Sequence, residues 1–270
     1  MTTRVALVGG TGKLGTIIRG VIDETDGFAV SAVLGSASDL SELDGADLVV
    51  DASTPAVSID IVRAAIERGV NVLVGTSGWS AERIALVRPL VDAAGIGAVF
   101  IPNFSLGSVI GSALAAASAS FFPSIEIVEA HRETKVDSPS GTAVRTAELI
   151  AAARSGVGPV ESPHVDQRAR GQKVASVPIH SLRRPGVVAR QETILSGPGE
   201  SLSIVHDTIE PARAYEPGIR IALAAARDAS GVTVGLDSFI DIGIRTPHGR
   251  AAAAGDEGGV PGQVARTTGA

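Results

Sequence analysis

The chain has no cysteine among its 270 residues, which excludes disulfides, thiolate metal sites and a cysteine nucleophile. Aromatic residues make up only 3%, with one Trp and one Tyr, so the core must be closed by aliphatic side chains packed at short range. Positive charge is in deficit: 23 Lys and Arg against 29 Asp and Glu give a net charge of -6. A general nucleic-acid binder needs concentrated basic residues, so that class of partner is not expected. No apolar run approaches the ~20 residues of a membrane span. The start, Met1-Thr2-Thr3-Arg4, enters a short apolar run and then glycines, unlike a signal peptide. The expectation is a cytoplasmic protein without a membrane partner. His164, His180, His206 and His248 lack the spacing of a metal set, so no metal is expected.

What is present is 44% hydrophobic residues and an ordered alternation of two patterns. Val5 to Val8 is a continuous apolar run, as a strand buried on both faces requires. Leu14, Ile17, Ile18, Val21 and Ile22 then fall on one helical face. Phe28 to Leu34, Leu48 to Ala52, Val70 to Val74 and Ala98 to Ile101 read as further strands. A helix from about Pro55 ends near Gly69, and a second is capped by Ser80. This regularity predicts a Rossmann-like parallel sheet over residues 1–103. After a small-residue helix beginning near Leu106, strand-like runs follow at 125–130, 174–180, 187–194 and 201–206 with little helix between them. They predict a second, α+β domain with a mixed or antiparallel sheet over 104–212. A helix over 218–227 and the run Gly231 to Gly235 return the chain to the first domain, giving it 213–247 as well. Residues 248–270 are Ala, Gly and Thr with scattered charges, a composition that reads as a disordered tail.

The turn after the first strand reads Gly9-Gly10-Thr11-Gly12-Lys13-Leu14-Gly15. Glycines there permit a tight turn, a backbone approach to a pyrophosphate and close packing of helix on sheet, while the helix N-terminus attracts the anion. Gly9, Gly10, Thr11, Gly12, Lys13 and Leu14 are therefore candidate cofactor residues. A carboxylate for the ribose is expected ~20 residues further on. The sequence instead reads Leu34-Gly35-Ser36-Ala37-Ser38, with Asp39 beyond. That leaves room for a 2′-phosphate beside Lys13 and Ser36, so NADPH is expected to serve at least as well as NADH. The alternative is that Asp39 swings in as the ribose ligand.

Residues 129–143 read EAHRETKVDSPSGTA. A strand ends in this segment, and Pro139 opens a helix whose first turn, with Ser140, Gly141 and Thr142, offers free amides and a hydroxyl to a carboxylate. His131 and Lys135 bring a titratable group and a cation near that anion site, which suits proton delivery. Taken singly, a satisfied buried histidine and a solvated lysine are the commoner outcomes.

Taken together, the segment resembles the signature of the 4-hydroxy-tetrahydrodipicolinate reductase family, approximately E-x-H-H-x-x-K-x-D-A-P-S-G-T-A. Further matches are Gly9–Gly15, Asp51–Pro55, Gly75-Thr76-Ser77-Gly78, Pro102-Asn103-Phe104-Ser105, Gln191-Glu192 and Thr233–Leu236, so the resemblance spans about residues 4–243. It implies NAD(P)H-dependent reduction of a small dicarboxylate on the lysine and diaminopimelate pathway. His131 and Lys135 match the proton-handling residues, and Gly141 and Thr142 match the hold on a substrate carboxylate. Gly75, Thr76, Ser77 and Pro102, Asn103, Phe104, Ser105 match the loops beside the nicotinamide. Three positions depart from the pattern. Arg132 replaces the second histidine and could bind a carboxylate by bidentate contact. Ser138 replaces an Ala, and Asp51-Ala52-Ser53 lacks an aromatic.

Two other readings stand beside the reductase: a dinucleotide-binding regulatory protein without catalysis, and a related reductase acting on another carboxylated imine. Arg183 and Arg184 could meet a dicarboxylate substrate, though surface arginines are the commoner outcome, and His206-Asp207 reads as a strand-end polar pair. The strands of residues 174–206, rich in Val and Ile, would leave an apolar sheet face that copies of the chain can cover. The resemblance implies a homotetramer built through this sheet, with Val177 and Val188 as positions to probe it.

Overall fold

The computed structural model describes residues 1–243; the tail expected at 248–270 lies outside them. Strands β1 (Thr3–Val8), β2 (Phe28–Leu34), β3 (Leu48–Asp51), β4 (Asn71–Val74) and β5 (Gly97–Phe100) alternate with helices α1 (Lys13–Asp23), α2 (Ser58–Glu67) and α3 (Ala81–Ala94). Val5, Ala6 and Leu7 are fully buried, as an apolar run without alternation requires of a strand covered on both faces. With β11 (Gly231–Val234) the sheet has six parallel strands in the order β11-β5-β4-β3-β1-β2. One apolar cluster packs α1 and α6 (Pro211–Arg227) on one face, and a second packs α2 and α3 on the other. This is the Rossmann-like layer arrangement expected from the alternation.

The second sheet follows α4 (Leu106–Ser118). Its strands are β6 (Ser124–His131), β7 (Gln172–Val174), β8 (Val177–Arg183), β9 (Ala189–Gly197) and β10 (Glu200–Thr208), with α5 (Gly141–Ala153) between β6 and β7. The order is β10-β9-β6-β8-β7; β6 and β8 are parallel and the other pairs antiparallel, a mixed sheet. Ile125, Ile127, Val177, Ile179 and Leu195 point to one face and pack beneath α4 and α5. Strand register places Val128, Leu182, Ile194 and Val205 on the opposite face. Leu182 and Val205 are 49% and 46% exposed there. The segment before β7 sends Arg170 across the edge of that face to Glu126 but leaves these side chains open.

Three local expectations change. The single strand read at 174–180 is a hairpin: Ala175 and Ser176 take positive φ of 46° and 77°, and β7 folds back on β8. No glycine marks this turn, so the sequence gives little sign of it. Helix α6 begins at Pro211 rather than 218, so a division at 212/213 falls in its first turn. Pro211 sits at the helix start, where its missing N–H costs nothing, and Pro217 lies inside the helix. Pro139 lies outside α5, since Ser140 is the cap whose hydroxyl accepts from the Ala143 amide.

Candidate active site

The turn between β1 and α1 is built by close backbone contact. Gly9 has a φ of +80°, and a Cβ there would lie 2.4 Å from the Ala52 carbonyl oxygen. A Cβ on Gly15 would lie 2.1 Å from the carbonyl oxygen of Gly9. Gly12 caps α1 without a side-chain bond, and no acidic residue stands in the first turn. The amides of Lys13 and Leu14 have no acceptor among the described residues. Exposed Thr11, Gly12 and Lys13 therefore surround an open, positive helix end that fits the pyrophosphate of a dinucleotide. At the end of β2, Gly35, Ser36 and Ala37 are exposed. Asp39 caps the short 3-10 helix Leu40–Leu43, its Oδ1 accepting from the Ser41 amide at 2.7 Å. That bond holds its carboxyl below the usual range and directs one of its oxygens to its own helix.

A cleft of about 620 Å³ opens beside this turn, between the two sheets. Lys13, Leu14, Gly75, Pro102, Asn103 and Phe104 form one wall. His131, Arg132, Lys135 and Thr142 form the other. The register of the mixed sheet and the ends of α1 and α6 thus bring together segments more than a hundred residues apart in sequence. The same cleft is also lined by Arg190, Gln191, His206 and Tyr215, which the sequence reading did not assign to it.

His131 ends β6. Its Nδ1 lies 2.6 Å from Oε2 of Glu129, a side chain with no exposure at all. Glu129 is two residues back on the same strand and so on the same face. Arg183 of β8 donates to both Glu129 oxygens, at 2.9 and 3.0 Å, so it is an internal ion-pair partner rather than a surface arginine. Burial pushes the Glu129 carboxyl up, but bonds from His131, Arg183 and Ser181 outweigh it and hold the group at about 2. Lys135 places its Nζ 2.8 Å from both carboxylate oxygens of Asp137. Burial pushes the Asp137 carboxyl up, and the ammonium beside it outweighs that and leaves it lowered.

Thr142 stands in the first turn of α5, where the amides of Gly141 and Thr142 have no acceptor among the described residues. Asn103 Nδ2 donates to the Thr142 hydroxyl at 3.2 Å, so the hydroxyl's own proton is left for a ligand. Asn103 also bonds Ser105 and Ser108, so its amide fixes the crossing between the sheets. Phe104 is 3% exposed and packs under Gly75, where a Cβ would meet its ring at 2.8 Å. Ser105 caps α4 and meets His206 Nε2 at 3.2 Å, and Thr76 bonds the Asp51 carbonyl. Those two are buried behind the cleft wall, whereas Ser77 is exposed outside the cleft lining.

His206 does not pair with Asp207, which turns to Arg190 on the other side of the sheet. Burial lowers the His206 pKa, against the pull of nearby Asp207. Gln191 donates to Thr146 at 2.9 Å, while its amide oxygen is buried without a donor among the described residues. The Glu129–His131 pair had a readable signal in its two-residue spacing. Gln191 stood in a matching stretch without a role attached, whereas Arg183 and His206 are brought here by the sheet order and Tyr215 by the start of α6.

The match to known proteins runs the length of the described chain. Residues 3–104 match the family model for dihydrodipicolinate reductase, N-terminus, and residues 107–240 that for its C-terminus. A 4-hydroxy-tetrahydrodipicolinate reductase of Clavibacter sepedonicus is 52% identical over the full length of both chains. One from Beutenbergia cavernae is 39% identical, covering 90% of this chain and 100% of its own. Among solved structures, a dipicolinate-bound dihydrodipicolinate reductase from Paenisporosarcina superposes with a TM-score of 0.73 at 25% identity, over 89% of this chain and all of that one. With the glycine turn, the divided cleft and the His131–Lys135 segment in place, the chain belongs to the 4-hydroxy-tetrahydrodipicolinate reductase family.

Proposed function

We propose that this chain reduces the dihydropyridine dicarboxylate formed from 4-hydroxy-tetrahydrodipicolinate to tetrahydrodipicolinate, using NADPH or NADH. The observation that carries the reading is the single cleft with a dinucleotide-type wall and a wall of proton-handling and anion-holding groups. The bound nicotinamide supplies the hydride. The remaining work falls to side chains. The Gly141 and Thr142 amides and the Thr142 hydroxyl hold one substrate carboxylate, and Arg132, exposed at the cleft, takes the other. This fixes the ring against the cofactor wall and converts the encounter into an oriented, near-unimolecular step. Hydride addition to the unsaturated ring leaves electron density at a neighbouring carbon, and His131 or Lys135 delivers the proton there. One hydride and one proton together complete the reduction. In the free enzyme Asp137 holds the Lys135 ammonium, and an incoming carboxylate competes for it.

Residues 1–103 with 213–247 bind the cofactor and 104–212 bind the substrate, with α6 spanning the junction. The open face carrying Leu182 and Val205 supports a homotetramer in which copies cover each other's sheets. A cytoplasmic location accords with a soluble substrate and cofactor; no helix among the described residues is long and apolar enough to cross a membrane.

The test is a turnover assay with the lysine-pathway substrate and each cofactor in turn. The expected outcome is oxidation of either dinucleotide, with kcat/KM for NADPH at least equal to that for NADH, since Gly35 and Ser36 stand where a ribose-binding carboxylate would repel a 2′-phosphate. Absence of turnover with both cofactors overturns the reading. A strong preference for NADH returns Asp39 to the ribose site.

A further inference from the structure

The mechanism above uses His131 and Lys135 but leaves unexplained a buried carboxylate directly behind them. Glu129 has no solvent exposure, and a buried charge is costly unless fully paired. Besides Ser181 of β8, its contacts lead to the site. Oε2 meets His131 Nδ1 at 2.6 Å and Arg183 Nη1 at 2.9 Å; Oε1 meets Arg183 Nη2 at 3.0 Å and the Ser140 amide at 3.2 Å. Ser140 is the cap of α5, whose next two residues form the anion site. Arg183 continues outward, its guanidinium donating to the Lys135 carbonyl at 3.2 Å and the Asp137 carbonyl at 2.6 Å. One carboxylate and one guanidinium therefore join the proton-handling histidine, the loop that carries the lysine and the helix end that holds the substrate.

We infer that Glu129 is a positioning residue for the reduction: clamped by Arg183, it fixes His131 with Nδ1 protonated and turned inward, so that Nε2 alone serves the cleft. The chemistry of the pair requires this sense. An ionised carboxylate only accepts hydrogen bonds, so the Nδ1 nitrogen beside it must donate. Neutral His131 then carries its lone pair on Nε2, and protonated His131 delivers its proton from Nε2, toward the substrate. A carboxylate behind a histidine in this way holds both tautomer and ring orientation. Arg183 keeps the carboxylate ionised and stops it from withdrawing the proton it is meant to orient.

The inference rests on His131 acting in proton transfer, so the experiment measures that separately. Steady-state kinetics are taken for wild type, Glu129→Gln, His131→Ala and the double variant, each checked for cofactor affinity. Glu129→Gln is expected to lower kcat by about tenfold to a hundredfold with little change in cofactor affinity. In the His131→Ala background the same substitution is expected to cost almost nothing further, because its effect passes through the histidine. An equal loss in both backgrounds would make Glu129 a support of the loop and helix alone and overturn the inference, as would an undiminished kcat in Glu129→Gln. Full activity in His131→Ala overturns the reading beneath it, and the orienting role with it. Should Glu129→Gln fail to fold, nitrogen NMR of wild-type enzyme labelled at histidine, with His131 assigned from the His131→Ala spectrum, still decides. The neutral ring must be the Nδ1–H tautomer, and an Nε2–H tautomer rejects the proposal.

Discussion

Lys135 shows how much of a residue's role depends on its immediate partner. Alone on a surface it would be a solvated cation; here it is 23% exposed, tied to Asp137, at the rim of a cleft shared with His131. On the proposed reading, a dicarboxylate substrate competes with Asp137 for the ammonium and so places the lysine by binding itself. Lys135→Ala should therefore keep its fold and cofactor affinity but lose kcat by ~100-fold or more, the usual effect of deleting a general acid. Stopped-flow and steady-state rates with a cofactor titration check this, and a variant within a few-fold of wild-type kcat removes Lys135 from the proton path. The signature segment made both His131 and Lys135 legible from sequence. Arg183 was not, because its role is set by the parallel pairing of β8 with β6, which sets it opposite His131.

At the scale of elements, α6 is the joint between the two halves of the cleft. It packs its buried face of Ile219, Ala222, Leu223 and Ala226 on the parallel sheet, and its Tyr215 reaches the cleft. Burial raises the Tyr215 pKa, an effect opposed by Arg132 nearby. The helix lies so close to the crossing strand that a Cβ on Gly218 would stand 2.0 Å from the Phe104 carbonyl oxygen. Ala is the better helix former by up to ~1 kcal/mol, but forcing apart packed backbone costs about 1–3 kcal/mol, so the clash wins. Gly218→Ala is expected to lower Tm by about 5 °C and to weaken cofactor binding, since Phe104 supports Gly75 in the cleft wall. Differential scanning calorimetry with and without cofactor is the measurement; an unchanged Tm would mean that α6 can shift without loss. Pro217 beside this glycine hid two turns of the helix from the sequence reading, since an internal proline argues for a helix start.

Over the whole molecule, the parallel sheet is covered on both faces and the mixed sheet on only one. The uncovered face mixes Leu182, Ile194 and Val205 with the paired charges Glu126–Arg170, Glu126–His180 and Arg190–Asp207. Burying it against another copy satisfies the apolar side chains and leaves the charges already paired. Light scattering coupled to size exclusion is expected to give a tetrameric mass for wild type and a smaller one for Leu182→Glu or Val205→Glu. A monomeric wild type overturns the shared-sheet arrangement. Val177 and Val188 do not serve as probes: Val177 is fully buried in the chain's own core, and Val188 lines the cleft.

Local chemistry was enough to determine the alternation of buried strands and amphipathic helices, the glycine turn and the segment that brings His131 and Lys135 to the cleft, because each is written within a few consecutive residues. The turn needs glycines where backbones meet, the strands need unbroken apolar runs, and the signature carries its histidine, lysine and anion site at fixed offsets. Tertiary structure decided the rest. The pairing of β6 with β8 and β9, and of β9 with β10, chose which arginine clamps Glu129 and which glutamine and histidine face the cleft. Such choices depend on strand order and register, which join residues far apart in the chain, and no local spacing encodes them.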